Sequence, residues 1–205
     1  METHRYRAAI TLTVIGLVAA IALAGVDRLT RDRIQQSRDA RAEATLTAML
    51  PDLRFDNDLI NDDIGLSLPG LEAPARIYRA RLDGQPVAAI VDLVTSRGYS
   101  GDIRMLVAVN PSGEVIASRV LAHRETPGLG DKIEIERNDW ITGFAGRSLA
   151  NTSSSSWAPD RRGGDFDTLT SATITSAAVI DAVHAALQGL ENAEPEQLWR
   201  SADEL

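Results

Sequence analysis

Cysteine is absent from the 205 residues, which excludes disulfides, thiolate-held iron–sulfur clusters and thioether-linked haem, the last of which needs a Cys-x-x-Cys-His segment. If this chain handles electrons, an organic cofactor must carry them. Aromatic residues are scarce, 4% of the chain against 44% hydrophobic overall, so the core must be built from Val, Ile, Leu and Ala. Positive charge is in deficit as well. A net charge of −8 argues against nucleic acid as a partner, because a binder must bring Lys and Arg to phosphates. No Gly-x-Ser-x-Gly elbow occurs, so a hydrolase ranks low although His123, several serines and many aspartates are available. The length suits one ordinary domain with an accessory segment, and two large catalytic domains would not fit.

What the chain does have begins with an uncharged run. Ala8 to Val26 contains no Asp, Glu, Lys or Arg, and at about 1.5 Å per helical residue it approaches the thickness of a bilayer's hydrocarbon core. It reads as a transmembrane helix. A cleaved signal peptide shares the basic start (Arg5, Arg7) and the small-residue sites Ala20-Ile21-Ala22 and Ala22-Leu23-Ala24, but its apolar core is usually shorter. Arg28, Arg31, Arg33, Arg38 and Arg41 follow the run, and counting Lys and Arg near its ends places the C-terminal side in the cytoplasm. Beyond it, Leu29 to Leu50 reads as a continuing stalk helix that Pro51 ends. The acidic stretch Asp52 to Asp63 lacks the glycine and terminal glutamate of a calcium loop and reads as a solvated linker.

The domain proper starts near Ala75. Arg76–Leu82 and Val87–Val94 flank Asp83-Gly84, and Ile103–Val109 and Glu114–Leu121 flank Asn110-Pro111-Ser112-Gly113. Both turns are hairpin signals, which predicts at least four strands, mostly antiparallel. Ser96-Arg97-Gly98-Tyr99-Ser100-Gly101 between them reads as a turn. The following loop, His123 to Lys132, contains Pro127-Gly128 and Gly130. It matches neither a P-loop nor a dinucleotide fingerprint. A loop at the end of a sheet or a ligand contact are both open for it. Ile133 to Phe144 reads as a short helix or irregular cover with Trp140 and Phe144 packed inward, and Asn151 to Ser156 as a flexible surface loop.

The densest hydroxyl cluster follows: Thr170-Ser171-Ala172-Thr173-Ile174-Thr175 carries three threonines and a serine within six residues. From Ser176 to Leu190 the positions Val179, Val183, Ala186 and Leu190 share a face, predicting an amphipathic helix capped by Thr175 or Ser176. Thr173 would sit just ahead of its N-terminus, where free N–H groups and the helix dipole favour a phosphate. Capping explains Thr175 and leaves the other hydroxyls over, so a covalently attached cofactor stands beside the capping reading. His184, within the helix, reads as a partly exposed surface histidine.

Taken in order, the anchor, Gly98-Tyr99-Ser100-Gly101, His123-x-Glu125-Thr126-Pro127-Gly128-Leu129-Gly130-Asp131-Lys132, Asp139-Trp140, Gly164-Asp165-Phe166-Asp167 and Thr170 to Thr175 resemble the G subunit of the Rnf ion-translocating electron transport complex. The C subunit of sodium-pumping NADH:quinone reductase carries similar motifs. The resemblance implies FMN joined to Thr173 by a phosphoester, made from FAD by a flavin transferase. It matches Asp167 to the acidic residue that opens the transferase motif, Thr170 to its Ser/Thr, and Ser171 to its glycine, a replacement that fits a backbone without positive φ. Ala172 and Thr175 complete the motif, and Glu125, Thr126, Gly128, Leu129 and Lys132 would lie near the flavin. No metal is implied.

The fold implied is α+β: residues 1–7 in the cytoplasm, a transmembrane helix at 8–26, a stalk helix and acidic linker at 27–74, an antiparallel-sheet FMN-binding domain with packed helices at 75–191, and a C-terminal tail at 192–205. The family's topology puts the flavin domain on the periplasmic side of the bacterial inner membrane, against the arginine count. The implied partners are the other membrane, iron–sulfur and flavin subunits of the complex, the transferase, and the lipid bilayer. A membrane-anchored FMN-binding sensor is the alternative that shares the motif.

Overall fold

A computed structural model describes residues 13, 15–26, 40–68, 71, 73–193 and 198–199. Two compact units divide the chain, residues 1–44 and 45–205. In the first, residues 15–26 are helical, and Ile15, Leu17, Val18, Ile21, Leu23 and Val26 stand exposed. Among the described residues no helix is long and apolar enough to cross a membrane. The expected span Ala8–Val26 lies partly outside the described residues, as does the stalk expected from Leu29.

The second unit is built on a five-stranded sheet in the order β1 (Asp63–Leu66), β2 (Ala75–Leu82), β3 (Gln85–Thr95), β4 (Ile103–Val109), β5 (Val115–Ala122), every neighbouring pair antiparallel. Turn chemistry explains the hairpins. Asp83 and Gly84 both take positive φ, 51° and 75°, as a two-residue loop matched to strand twist requires. At the second turn the Asn110 side chain accepts from the Ser112 and Glu114 amides, each at 3.0 Å, so a local side chain replaces missing ladder bonds.

Alternation along the strands gives the sheet two apolar faces. Ile77, Val91, Met105 and Val107 face the long helix α1 (Thr173–Asn192), whose Val179, Ile180, Val183 and Leu187 are buried against them. Phe144, Phe166 and Trp157 extend this core, with ring centroids 4.8 Å and 5.1 Å apart. The other face, Tyr78, Ala80, Ile90 and Leu106, is covered by Leu46, Met49, Leu50 and Leu59, each such side chain contributing roughly 1.5–3 kcal/mol by burial.

The second compact unit starts at Thr45, and the end of the expected stalk supplies aliphatic side chains that close the sheet's second face. Within the acidic stretch Asp52, Asp56 and Asp58 are exposed, and Asp62 and Asp63 are half-buried. Asp62 receives Arg79 Nε at 2.7 Å and Arg81 Nε at 2.5 Å, and both arginines are buried. Asp63 opens β1 and pairs with Arg76, whose guanidinium holds its carboxyl below the usual carboxylate range. At the other end, Leu198 of the expected tail is buried in the core.

The expected cover between Ile133 and Phe144 resolves into two 3-10 helices, Gly130–Ile133 and Asp139–Phe144. Phe144 is buried and Trp140 half-buried. The Asn151 to Ser156 tract is a set of hydrogen-bonded turns, not a loose loop: the Asn151 side chain accepts from the Ser148 amide and donates to the Gly146 carbonyl, each at 2.8 Å, and Thr152 is buried. His184 is half-buried, its ring stacked on Trp157 at 5.1 Å with 2° between planes. Burial pushes its imidazole below the ordinary histidine value, against the opposing pull of Asp181.

Candidate functional site

Helix α1 starts at Thr173, not at Ser176. Thr175 and Ser176 are therefore inside the helix instead of capping it: the Thr175 hydroxyl donates to Glu125, and that of Ser176 is used locally. Ser176 Oγ donates to the Ala172 carbonyl and accepts from the Leu169 amide, each at 3.0 Å. No side chain caps the helix, so the first-turn N–H groups and the positive end of the dipole are left for a ligand.

The segment before the helix is braced from three sides. Trp140 Nε1 donates to the Asp167 carbonyl at 2.7 Å. Asp160 accepts from the Thr168 hydroxyl and, at 3.1 Å, from the Thr168 amide, and these bonds with the Arg161 amide hold its carboxyl below the usual range. Ser176 supplies the third brace. Chain direction then reverses at Ser171, where φ is 66°.

That angle corrects the expectation for Ser171: the backbone here does need the left-handed region, which glycine enters freely and serine occupies at a cost of about 1–2 kcal/mol.

The loop after β5 meets this segment. Its turn closes on the Thr126 carbonyl, which accepts from the Leu129 and Gly130 amides at 3.1 and 3.0 Å, with Gly128 at φ 79°. Glu125 is 4% exposed. One carboxylate oxygen accepts from the Ser100 amide at 2.9 Å, and the other from the Thr175 hydroxyl. Its own amide donates to His123 Nδ1 at 3.0 Å, which leaves the proton on Nε2 to bond Glu134 at 2.7 Å.

Two glycines are obligatory around Glu125. A Cβ at Gly98 would lie 2.3 Å from the Gly101 carbonyl and 2.8 Å from the Glu125 carboxylate, and one at Gly130 2.8 Å from Glu125 Cβ. Gly98 to Gly101 is thus more than a turn.

Between these segments lies a cavity of about 490 Å³, lined by Tyr99, by Glu125, Thr126, Leu129 and Gly130, and by Ser171 through Thr175. Tyr99, Leu129 and Ile174 are exposed on it, at 67%, 40% and 50%. The volume is that of a small-molecule or cofactor site. Its lining fits a phosphorylated planar ring: apolar groups at the exposed side, and an uncapped helix end beside Thr173.

Of the residues expected at the site, Thr173, Ser171, Ala172, Thr175, Glu125, Thr126 and Leu129 line this cavity; Asp167, Thr170, Gly128 and Lys132 do not. Asp167 and Thr170 are exposed on the braced segment outside it. Tyr99, Gly130 and Ile174 line it as well. For Tyr99 the signal was a large ring held between two glycines; for Ile174, an aliphatic side chain inside a hydroxyl-rich run.

Comparison with known proteins agrees with this geometry. The FMN-binding domain family matches residues 98–188, and the RnfG N-terminal region matches residues 1–49. The G subunit of the ion-translocating oxidoreductase complex of Pseudomonas aeruginosa PAO1 is 41% identical over 186 residues, 89% of this chain and 86% of the relative. The chain belongs to the family of these G subunits. The Escherichia coli K12 member is 38% identical over 178 residues, 86% of each chain. That of Yersinia pestis is 39% identical over 198 residues, 96% of this chain and 94% of the relative. Both halves of the cavity, the Tyr99–Gly130 side and the Thr173 side, fall within the FMN-binding match.

Proposed function

We propose that this protein is the flavoprotein subunit of an Rnf-type ion-translocating oxidoreductase and carries FMN as a phosphoester on Thr173 Oγ1. The observation that supports it most is the position of Thr173: first residue of an uncapped helix, half-buried, on the wall of a cavity sized for a cofactor. The other threonines are worse placed. Thr175 is 1% exposed and donates its hydroxyl to Glu125, and Thr170 lies outside the cavity.

Attachment joins Thr173 Oγ1 to the flavin-side phosphorus of FAD while the phosphoanhydride bond breaks and AMP leaves; the hydroxyl proton goes to a base. A threonine hydroxyl is a poor nucleophile, so base and metal come from the transferase. Bound there, the flavin supplies the one- and two-electron chemistry. The chain's own part is positional. With FMN bound, the first turn of α1 would present its N–H groups to the phosphate, and the exposed side chains of Tyr99, Leu129 and Ile174 would receive the ring.

The same reading places the protein in the bacterial inner membrane with the FMN domain on the periplasmic side, among the other membrane and electron-carrying subunits. The exposed apolar side chains of residues 15–26 support lipid contact. Expression with a flavin transferase should give a band that fluoresces under ultraviolet light on a denaturing gel, lost completely in Thr173→Ala. A dark wild-type band would sink the covalent reading. A band that survives in Thr173→Ala would move the attachment to another hydroxyl.

A further inference from the structure

An exposed tyrosine is ordinarily left to find its own rotamers, yet the loop that carries Tyr99 is fixed on both sides of it. Gly98 is pressed against the Gly101 carbonyl and the Glu125 carboxylate so closely that no side chain fits. The next amide after Tyr99, that of Ser100, is bonded to Glu125 Oε1 at 2.9 Å. The same carboxylate takes the Thr175 hydroxyl of α1, two residues beyond Thr173. One buried side chain therefore joins the loop of Tyr99 to the helix turn of Thr173, and Tyr99 lines the cavity between them while 67% exposed.

Burying a carboxylate costs stability unless strong partners compensate. Here the carboxylate's hydrogen bonds come from one amide and one hydroxyl, both neutral. A side chain chosen for stability alone would be apolar at this place. What the carboxylate provides is geometric: two acceptors that fix two segments at one distance.

We infer that Tyr99 is the stacking face for the planar ring of the bound flavin, and that Glu125 is the positioning residue that holds Tyr99 at the cavity mouth. This rests on the flavin reading above. An aromatic ring held at the exposed side of such a cavity recognises a flat π-system by offset stacking, while the helix end recognises its phosphate. Tyr99 acts on the ring directly, and Glu125 acts through Tyr99.

The test uses the full chain expressed with a flavin transferase. A phenol or indole stacked on a flavin quenches its emission by fast electron donation and return; an aliphatic side chain does not. The readout is the ratio of flavin emission in the native protein to that of the same sample unfolded in guanidinium. Removing the stacked partner should lower the docked population by roughly two- to tenfold.

Wild type should therefore be quenched when native, Tyr99→Leu should lose the quenching with the gel band intact, and Tyr99→Trp should keep it. Glu125→Ala should lose it too, and Glu125→Gln, which retains an acceptor for the Ser100 amide and a donor for Thr175, should restore it. An unchanged ratio in Tyr99→Leu would overturn the inference, as would loss of quenching in Glu125→Ala that Gln does not restore. A wild type with no gel band would fail the attachment reading alone. Free FMN titrated into the unmodified protein then decides: saturable quenching with wild type and none with Tyr99→Leu supports the stacking face, and equal behaviour of the two overturns it.

Discussion

The two edges of the sheet are each fastened by an acidic side chain, in different chemical company. At the β1 edge Asp62 faces two buried guanidiniums, those of Arg79 and Arg81, and an Asn57 amide at 3.1 Å. Past the β5 edge Glu125 faces a backbone amide and a hydroxyl. The first arrangement sets one carboxylate against two guanidiniums, opposite charges in direct contact. The second leaves a buried carboxylate with neutral donors, a poor choice for stability, and it stands at the cavity where the cofactor family matches. At Asp62 opposite charges meet at a half-buried site; at Glu125 the carboxylate is buried beside neutral donors, and its geometry is what the protein uses.

Substitutions that remove each acid test the contrast most directly. Asp62→Ala should cost the most, about 3–5 kcal/mol, since it removes the carboxylate that two buried guanidiniums share; a chemical-denaturation midpoint reads it. Glu125→Ala should cost less, about 1–3 kcal/mol, because it strands only neutral donors. Equal losses would erase the distinction.

Ser171→Gly sharpens the functional side. Relief of the left-handed serine, partly offset by the greater freedom of glycine in the unfolded chain, should raise stability by about 0.5–1 kcal/mol. Flavin attachment should persist, since the reversal at φ 66° is what glycine adopts most easily. Destabilisation in thermal melts would show that the Ser171 side chain contributes more than its backbone strain.

The smallest effect concerns His184. Its folded-state affinity for protons is depressed by burial, so the unfolded chain binds the proton more readily. Stability should fall as pH drops through the ordinary histidine value, near 6.5, and level off below the depressed folded value. His184→Gln should flatten that part of the stability profile. Asp63 acts in a lower window: its carboxyl is held down by Arg76, so its contribution is present above the usual carboxylate value and is lost as pH falls through the folded one.

Some of this protein was legible in its residues alone. Asp83-Gly84 and Asn110 to Gly113 dictate their turns by local backbone chemistry, and with the apolar runs beside them they determine strands β2 to β5. The hydroxyl-rich run marks the turn into an apolar helix for the same reason, because helix ends are local features, whereas the choice of Thr173 among its hydroxyls came from the family resemblance. The rest was decided by contacts between residues far apart in sequence. Asp62 looks like one more acid in an acidic stretch until Arg79 and Arg81 fold against it. Glu125 and Thr175 stand 50 residues apart, and only the closed sheet brings α1 to the loop after β5. Tyr99 joined the site through that same closure. The backbone angle at Ser171 was likewise beyond local propensity, which disfavours it; the braces from Trp140, Asp160 and Ser176 impose the reversal, and tertiary bonding outweighs the cost to one residue.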